Sequence, residues 1–197
     1  MTIHMNHRSF NRVSKPKVLR AALDLFSSKG YSETKMAAIA QSAGLSVGAL
    51  YLRFKNKEEL CLELIRDQTR DFVLRVENLP VEDPVEALKR YIALNLEYSF
   101  KKRRLLSLLF KEYNLPFLKP CRRSFFKAQH RIITDILIAG TKRGLFRPMD
   151  AEDTASIIFA SIRGAILLKI IFGIGDFKKM SNSLFQLITN GIRKDAR

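Results

Sequence analysis

Cysteine is nearly absent: Cys61 and Cys121 are the only two in 197 residues, and they lie far apart. No spacing resembles a disulfide framework or a zinc site, so a stapled secreted scaffold is excluded and both thiols are expected to be free. For Cys61, ordinary burial is favoured over a redox-sensing role. Histidine is also scarce, with His4, His7 and His130 making three. His4 and His7 fall short of the three or four ligands a metal site needs. There is no Ser-His-Asp order, no phosphate-cradling glycine loop and no cluster of metal ligands, so neither catalysis, metal nor cofactor is expected. Long uncharged apolar runs are missing too: the most hydrophobic stretch, 155–175, is broken by Arg163 and Lys169, whereas a spanning helix takes about 20 largely uncharged residues. The first residues hold no apolar core of signal-peptide length. A soluble, cytoplasmic protein without a membrane partner is expected.

Acidic residues are in short supply, 19 against 35 Lys and Arg, for a net charge of +16. That balance favours polyanionic partners, nucleic acid first and acidic membrane second. The excess is +6 over residues 1–60, +1 over 61–110 and +9 over 111–197. Hydrophobic residues at 47% and charged residues at 27% are ordinary for a folded chain. The length suits one or two domains of about 100–200 residues.

Residues 34–57, TKMAAIAQSAGLSVGALYLRFKNK, read as two short helices and a tight turn. Thr34 is placed to cap the first, which runs to about Ser42, and Gly44 supplies the left-handed turn. Ser46 caps the second, about Val47–Phe54, whose small opening residues Val47, Gly48 and Ala49 let it approach a surface closely. Ala40 is small where the helices cross, and Leu50 fills the angle between them. This predicts a helix-turn-helix whose second helix fits a DNA major groove, in preference to an ordinary helix hairpin.

The rest of the chain reads as helices. Residues 1–13 form a basic arm with Arg8 and Arg12, suited to phosphate contact. A helix from Ser14 to Ser28, with Leu19, Ala22, Leu23 and Phe26 on one face, completes a three-helix unit. Asn56 and Glu59 resemble a capping box opening a long connector that reaches Pro80. Asp83 opens a helix to about Phe100, followed by Lys101-Lys102-Arg103-Arg104, read as a solvated turn rather than an anion site. Further helices cover about 105–113, 121–143, 150–172 and 177–192. His130, Arg131 and Asp135 either line a ligand cavity or sit on an exposed face, and the exposed face is favoured. The last two helices lack a fully polar side, which predicts their burial against the same pair from a second subunit. The expected fold is all-α, about nine helices, with domains at 1–56 (arm and helix-turn-helix) and 57–197 (effector binding and dimerisation).

Between Val18 and Leu64 the sequence carries, in order, Phe26-x-x-x-Gly30-Tyr31, Thr34, Ala43-Gly44-Leu45-Ser46, Gly48-Ala49-Leu50-Tyr51 and Phe54-Lys55-x-Lys57-Glu58-Glu59-Leu60. This resembles the TetR family of bacterial one-component transcriptional regulators. Beyond it the match is in style only, including Gly144-Leu145-Phe146-Arg147-Pro148. The resemblance implies phosphate contacts by Thr34, Ser46, Tyr51 and Lys57 and base reading around Val47 and Gly48, with Ala49, Leu52, Arg53 and Lys55 in the same surface. The sequence departs from the family at Val47, where a basic residue is common, and at Leu52 and Arg53, where aromatic residues or His often stand. Val47 allows only apolar base contacts, and Arg53 is assigned to phosphate. The resemblance further implies a homodimeric repressor on an inverted-repeat operator, released by a small-molecule effector. Candidate effector contacts are Tyr91, Asn95, Tyr98, His130 and Arg163. The alternatives are a helical enzyme, or an effector-independent basic protein of nucleic acid or membrane surfaces.

Overall fold

The computed structural model describes residues 14–193; the basic arm, with His4, His7, Arg8 and Arg12, lies outside them. Among the described residues there are nine α-helices and no strand: α1 Lys15–Lys29, α2 Met36–Ala43, α3 Val47–Tyr51, α4 Lys57–Glu77, α5 Pro84–Lys101, α6 Arg103–Lys111, α7 Lys119–Lys142, α8 Ala151–Phe172 and α9 Phe177–Ile192. The all-α expectation stands, and most boundaries fall within two or three residues of the sequence signals. The starts of α5 and α8 lie where their caps put them, with Asp83 accepting from the Val85 and Glu86 N–H groups and Asp150 from that of Asp153.

The described chain forms two compact units. Unit 1 runs up to Thr69 and takes in Ser107–Leu115; unit 2 comprises Arg70–Leu106 and the chain from Pro116 onward. The division falls inside α4 and α6, whereas residue 56 marks only the end of the helix-turn-helix. In unit 1, α1 packs on α2 and α2 on α3 around Leu19, Phe26, Ile39, Ala40 and Leu50, all buried. In unit 2, α5 packs against α7, α8 and α9, burying Leu88, Ile92 and Leu96 with Ile133, Leu137 and Ile162.

Two expectations about local structure change. The cationic run is not a turn: Lys101 ends α5, Arg103 and Arg104 open α6, and Lys102 alone separates them. Lys101 also pairs with Glu97 at 2.6 Å, one helical turn back. The second correction is α3, which ends at Tyr51, with Leu52 and Arg53 in a closing turn before Phe54.

Candidate nucleic-acid interface and effector site

Gly44 makes the turn as its sequence position requires: its φ of 72° is left-handed, and the following Leu45 N–H reaches back to the Ala40 carbonyl at 2.9 Å. Ser46 then caps α3, its Oγ accepting from the Ala49 N–H at 3.2 Å, while its own O–H remains available to donate. Leu50 anchors the helix with no exposed surface. Val47, Tyr51 and Leu52 stand outward at 42%, 49% and 89% exposure. Gly48, Arg53 and Lys55 are exposed beside them, and Ala49 is half-buried.

Thr34 and Lys57 do not join this surface. Thr34 is 1% exposed and its Oγ1 donates to the Gly30 carbonyl at 2.7 Å, so it neither caps α2 nor presents a hydroxyl outward. The cap position is held by Lys35. Lys57 Nζ donates to the carbonyls of Tyr31, Ser32 and Thr34 at 2.7, 3.1 and 2.9 Å, and lies 4.4 Å above the Tyr31 ring. An ammonium has three N–H bonds, and these acceptors take all three. Lys57 therefore clamps the α1–α2 loop from the first residue of α4. The capping box at that helix start is shifted by one residue: Asn56 Oδ1 accepts from Glu59 N–H at 2.8 Å, but the Glu59 carboxylate accepts from Lys55 N–H at 2.7 Å.

The same loop is held from its other end by a residue that no local pattern singles out. Glu112 Oε1 accepts the Tyr31 N–H at 2.9 Å and stands 3.3 Å from where a side-chain carbon on Gly30 would be. An acid 81 positions away in sequence carries no periodic or motif signal.

In unit 2 four of the five candidate effector contacts come together. Tyr91 donates to Gln129 Oε1 at 3.0 Å in the buried interior. Asn95, one turn along α5, donates to the Tyr91 carbonyl at 2.9 Å and its own carbonyl accepts from Ser99 Oγ at 2.6 Å. Tyr98 stacks on Phe72 with ring centres 4.5 Å apart. The Arg163 guanidinium lies 5.6 Å from the Phe125 ring centre and 5.8 Å from that of Phe159. Burial pulls the Arg163 pKa down, partly countered by the phenols of Tyr91 and Tyr98, and burial holds both phenols protonated, well above the usual tyrosine range. The result is a guanidinium set among aromatic faces, an environment that suits a ligand with an apolar body and an anionic end. His130 is linked to this group through Phe126, whose ring centre lies 5.3 Å from its own and 5.1 Å from that of Phe159; its Nε2 lies 3.0 Å from both the Glu152 carbonyl and Ser156 Oγ, and Nδ1 lies 3.4 Å from the Glu152 carboxylate. It ties α7 to the start of α8.

A three-helix unit turning at a left-handed glycine, with an outward third helix, followed by a larger helical unit, defines a helix-turn-helix transcriptional regulator. Residues 18–64 match the model of the bacterial regulatory proteins, tetR family. The chain is 25% identical over 190 residues to the fatty acid metabolism regulator protein of Bacillus subtilis, spanning 89% of this chain and 94% of that one. It is 29% identical over 196 residues to the HTH-type transcriptional regulator RutR of Escherichia coli, spanning 91% and 90%. In fold it is similar to the transcriptional regulator FadR from B. subtilis in complex with stearoyl-CoA, with a TM-score of 0.78, 23% identity, and coverage of 91% of this chain and 100% of that one. The match to the tetR family is carried by residues 18–64, and the regulators named here resemble the chain over about nine-tenths of its length.

Proposed function

We propose that the protein is a homodimeric repressor that occupies an inverted-repeat operator and leaves it when a small molecule with an apolar body and an anionic end binds unit 2. The observation that carries the DNA-binding half is the outward face of α3, fixed by Ser46 and Leu50 yet exposing Val47, Tyr51 and Leu52. In a two-fold dimer two such helices enter successive major grooves, about 34–36 Å apart or further. Support for the dimer comes from α8 and α9, which leave Ile157, Leu168, Ile171 and Leu187 substantially exposed. Ile157, Gly164, Leu168 and Ile171 fall on one side of α8, the spacing of a helix-packing seam. Release uses α4, which begins at Lys57 and carries Phe72 against Tyr98: a ligand that displaces Phe72 acts on the helix that clamps the reading unit. Effector and operator then oppose each other by one reciprocal coupling free energy.

The test of operator binding is a salt titration with the DNA upstream of the coding region and an unrelated duplex. Selective binding is expected, and Tyr51→Ala is expected to weaken it about tenfold or more, as loss of a hydrogen bond to a charged phosphate does. Equal, steeply salt-dependent affinity for both duplexes contradicts the proposal.

The ligand half is supported by Arg163 among its aromatic neighbours and by the stearoyl-CoA held by the similar B. subtilis FadR. In calorimetric titrations an acyl-CoA is expected to bind and choline not to, with Arg163→Met reducing acyl-CoA affinity about 10- to 100-fold. Binding of the cation alone overturns the ligand class.

One observation favours a second reading. Helix α8 is long and apolar enough to cross a membrane by length and composition, and little of it is buried within the chain. A membrane-surface protein would co-sediment with anionic vesicles and show no operator selectivity; a dimer that covers α8 would do the reverse.

A further inference from the structure

We infer that α3 reads thymine through its C5 methyl groups, so that operator selectivity is carried by apolar contact rather than by hydrogen bonds to base edges; this rests on the operator-binding proposal above. Within residues 47–52 the outward surface consists of two pairs at helical i, i+4 spacing, Val47 with Tyr51 and Gly48 with Leu52, and exposed Arg53, assigned to phosphate, follows them in the closing turn. Valine and leucine carry no donor or acceptor, and within residues 47–52 the Tyr51 phenol is the one polar side-chain tip. Ser46 Oγ accepts the cap bond and keeps its O–H for a phosphate.

Gly48 points the same way. It has no positive φ, and among the described residues no atom beyond its chain neighbours and its own helix backbone lies within 4 Å of the side-chain carbon an alanine would add. A glycine weakens a helix relative to alanine, and nothing among the described residues calls for one here. The missing methyl instead lets α3 settle closer to a surface outside the chain, bringing Val47 and Leu52 into contact with what lies beneath.

In the major groove that surface is the base-pair edge. A G·C pair presents N7, O6 and an amino group but no methyl; an A·T pair adds the thymine C5 methyl. Valine or leucine pressed onto G·C strips water from polar atoms and returns no hydrogen bond, which is unfavourable. On a thymine methyl the same side chains remove apolar surface from water. The base pairs beneath Val47 and Leu52 are therefore A·T, each with its methyl toward the helix.

The experiment selects duplexes from a random library with the full-length protein. It then compares the selected duplex with one in which the half-site thymines are replaced by deoxyuridine, which keeps every hydrogen bond and loses only the methyl. Thymine is expected in each half-site, with a loss of about fourfold in affinity per contacted methyl removed. Val47→Ala and Leu52→Ala, both at exposed positions that leave folding intact, are each expected to bind the thymine duplex less tightly and to feel deoxyuridine less. Selected duplexes that bind equally well with deoxyuridine overturn methyl readout while leaving operator binding standing. A deoxyuridine penalty undiminished in both variants overturns the assignment to α3. A library from which no sequence is enriched overturns operator binding, and this inference with it.

Discussion

A Gly140→Ala variant is expected to be less stable by about 3 kcal/mol, near the upper end of what overpacking costs. Gly140 sits on the buried side of α7, and a side-chain carbon there would lie 2.1 and 2.3 Å from two carbons of the Phe146 ring. Contacts that short force the ring aside, and Phe146 is buried at 1% exposure. The backbone is equally committed: the N–H groups of Leu145 and Phe146 both donate to the Gly140 carbonyl, at 2.9 and 3.2 Å. Urea unfolding followed by circular dichroism should show the lowered midpoint. Trimming the ring in Gly140→Ala with Phe146→Leu should recover part of the loss, since the two positions share one contact. A midpoint unchanged by Gly140→Ala contradicts the packing described.

A Lys57→Met variant separates the two roles open to this residue. Methionine keeps the apolar stem but deprives the carbonyls of Tyr31, Ser32 and Thr34 of their shared donor. The expected cost is about 2–3 kcal/mol of stability, within the range for hydrogen bonds to a charged group at a partly exposed site. Because the ammonium is spent inside the protein, the slope of operator affinity against salt should stay as it is. A phosphate contact would instead flatten that slope by about 0.9 for each phosphate neutralised. A flattened slope with unchanged stability would restore Lys57 to the DNA surface.

The contrast between these residues and α3 shows what the sequence exposes. The helix-turn-helix is legible because its signals are local: Gly44 turns, Ser46 caps four residues before Leu50 fills the angle, and each acts on its own neighbours. The caps of α5 and α8 are legible for the same reason. Thr34 was misplaced although its region was right, since a threonine before a helix suits a cap and a bond back to Gly30 equally well. Lys57 and Glu112 act across 23 to 26 and 81 positions, respectively, and no periodicity encodes such partners. Gly140 lies between these cases. It continues the stripe Ile133, Ile136, Leu137, and a glycine in an apolar stripe signals close approach, though not to which ring. The candidate effector cluster is half legible, as Tyr91 and Asn95 fall on the apolar face of α5. Arg163 stands out only as a charge interrupting an apolar run, and the aromatic rings around it come from α5, α7 and its own helix.

The loop bond from Glu112 to Tyr31 bears on how such proteins can be cut and recombined. The reading unit is not one continuous piece of chain: Ser107–Leu115 belongs to it although more than thirty residues of the other unit intervene. A fragment ended at Thr69 would leave the Tyr31 N–H without the Glu112 carboxylate and strip away buried Leu108. Chimeras that join this reading unit to a relative's sensing unit at one crossover would inherit a mismatched patch beside the α1–α2 loop. Two additional crossovers, flanking residues 107–115, keep the native seam.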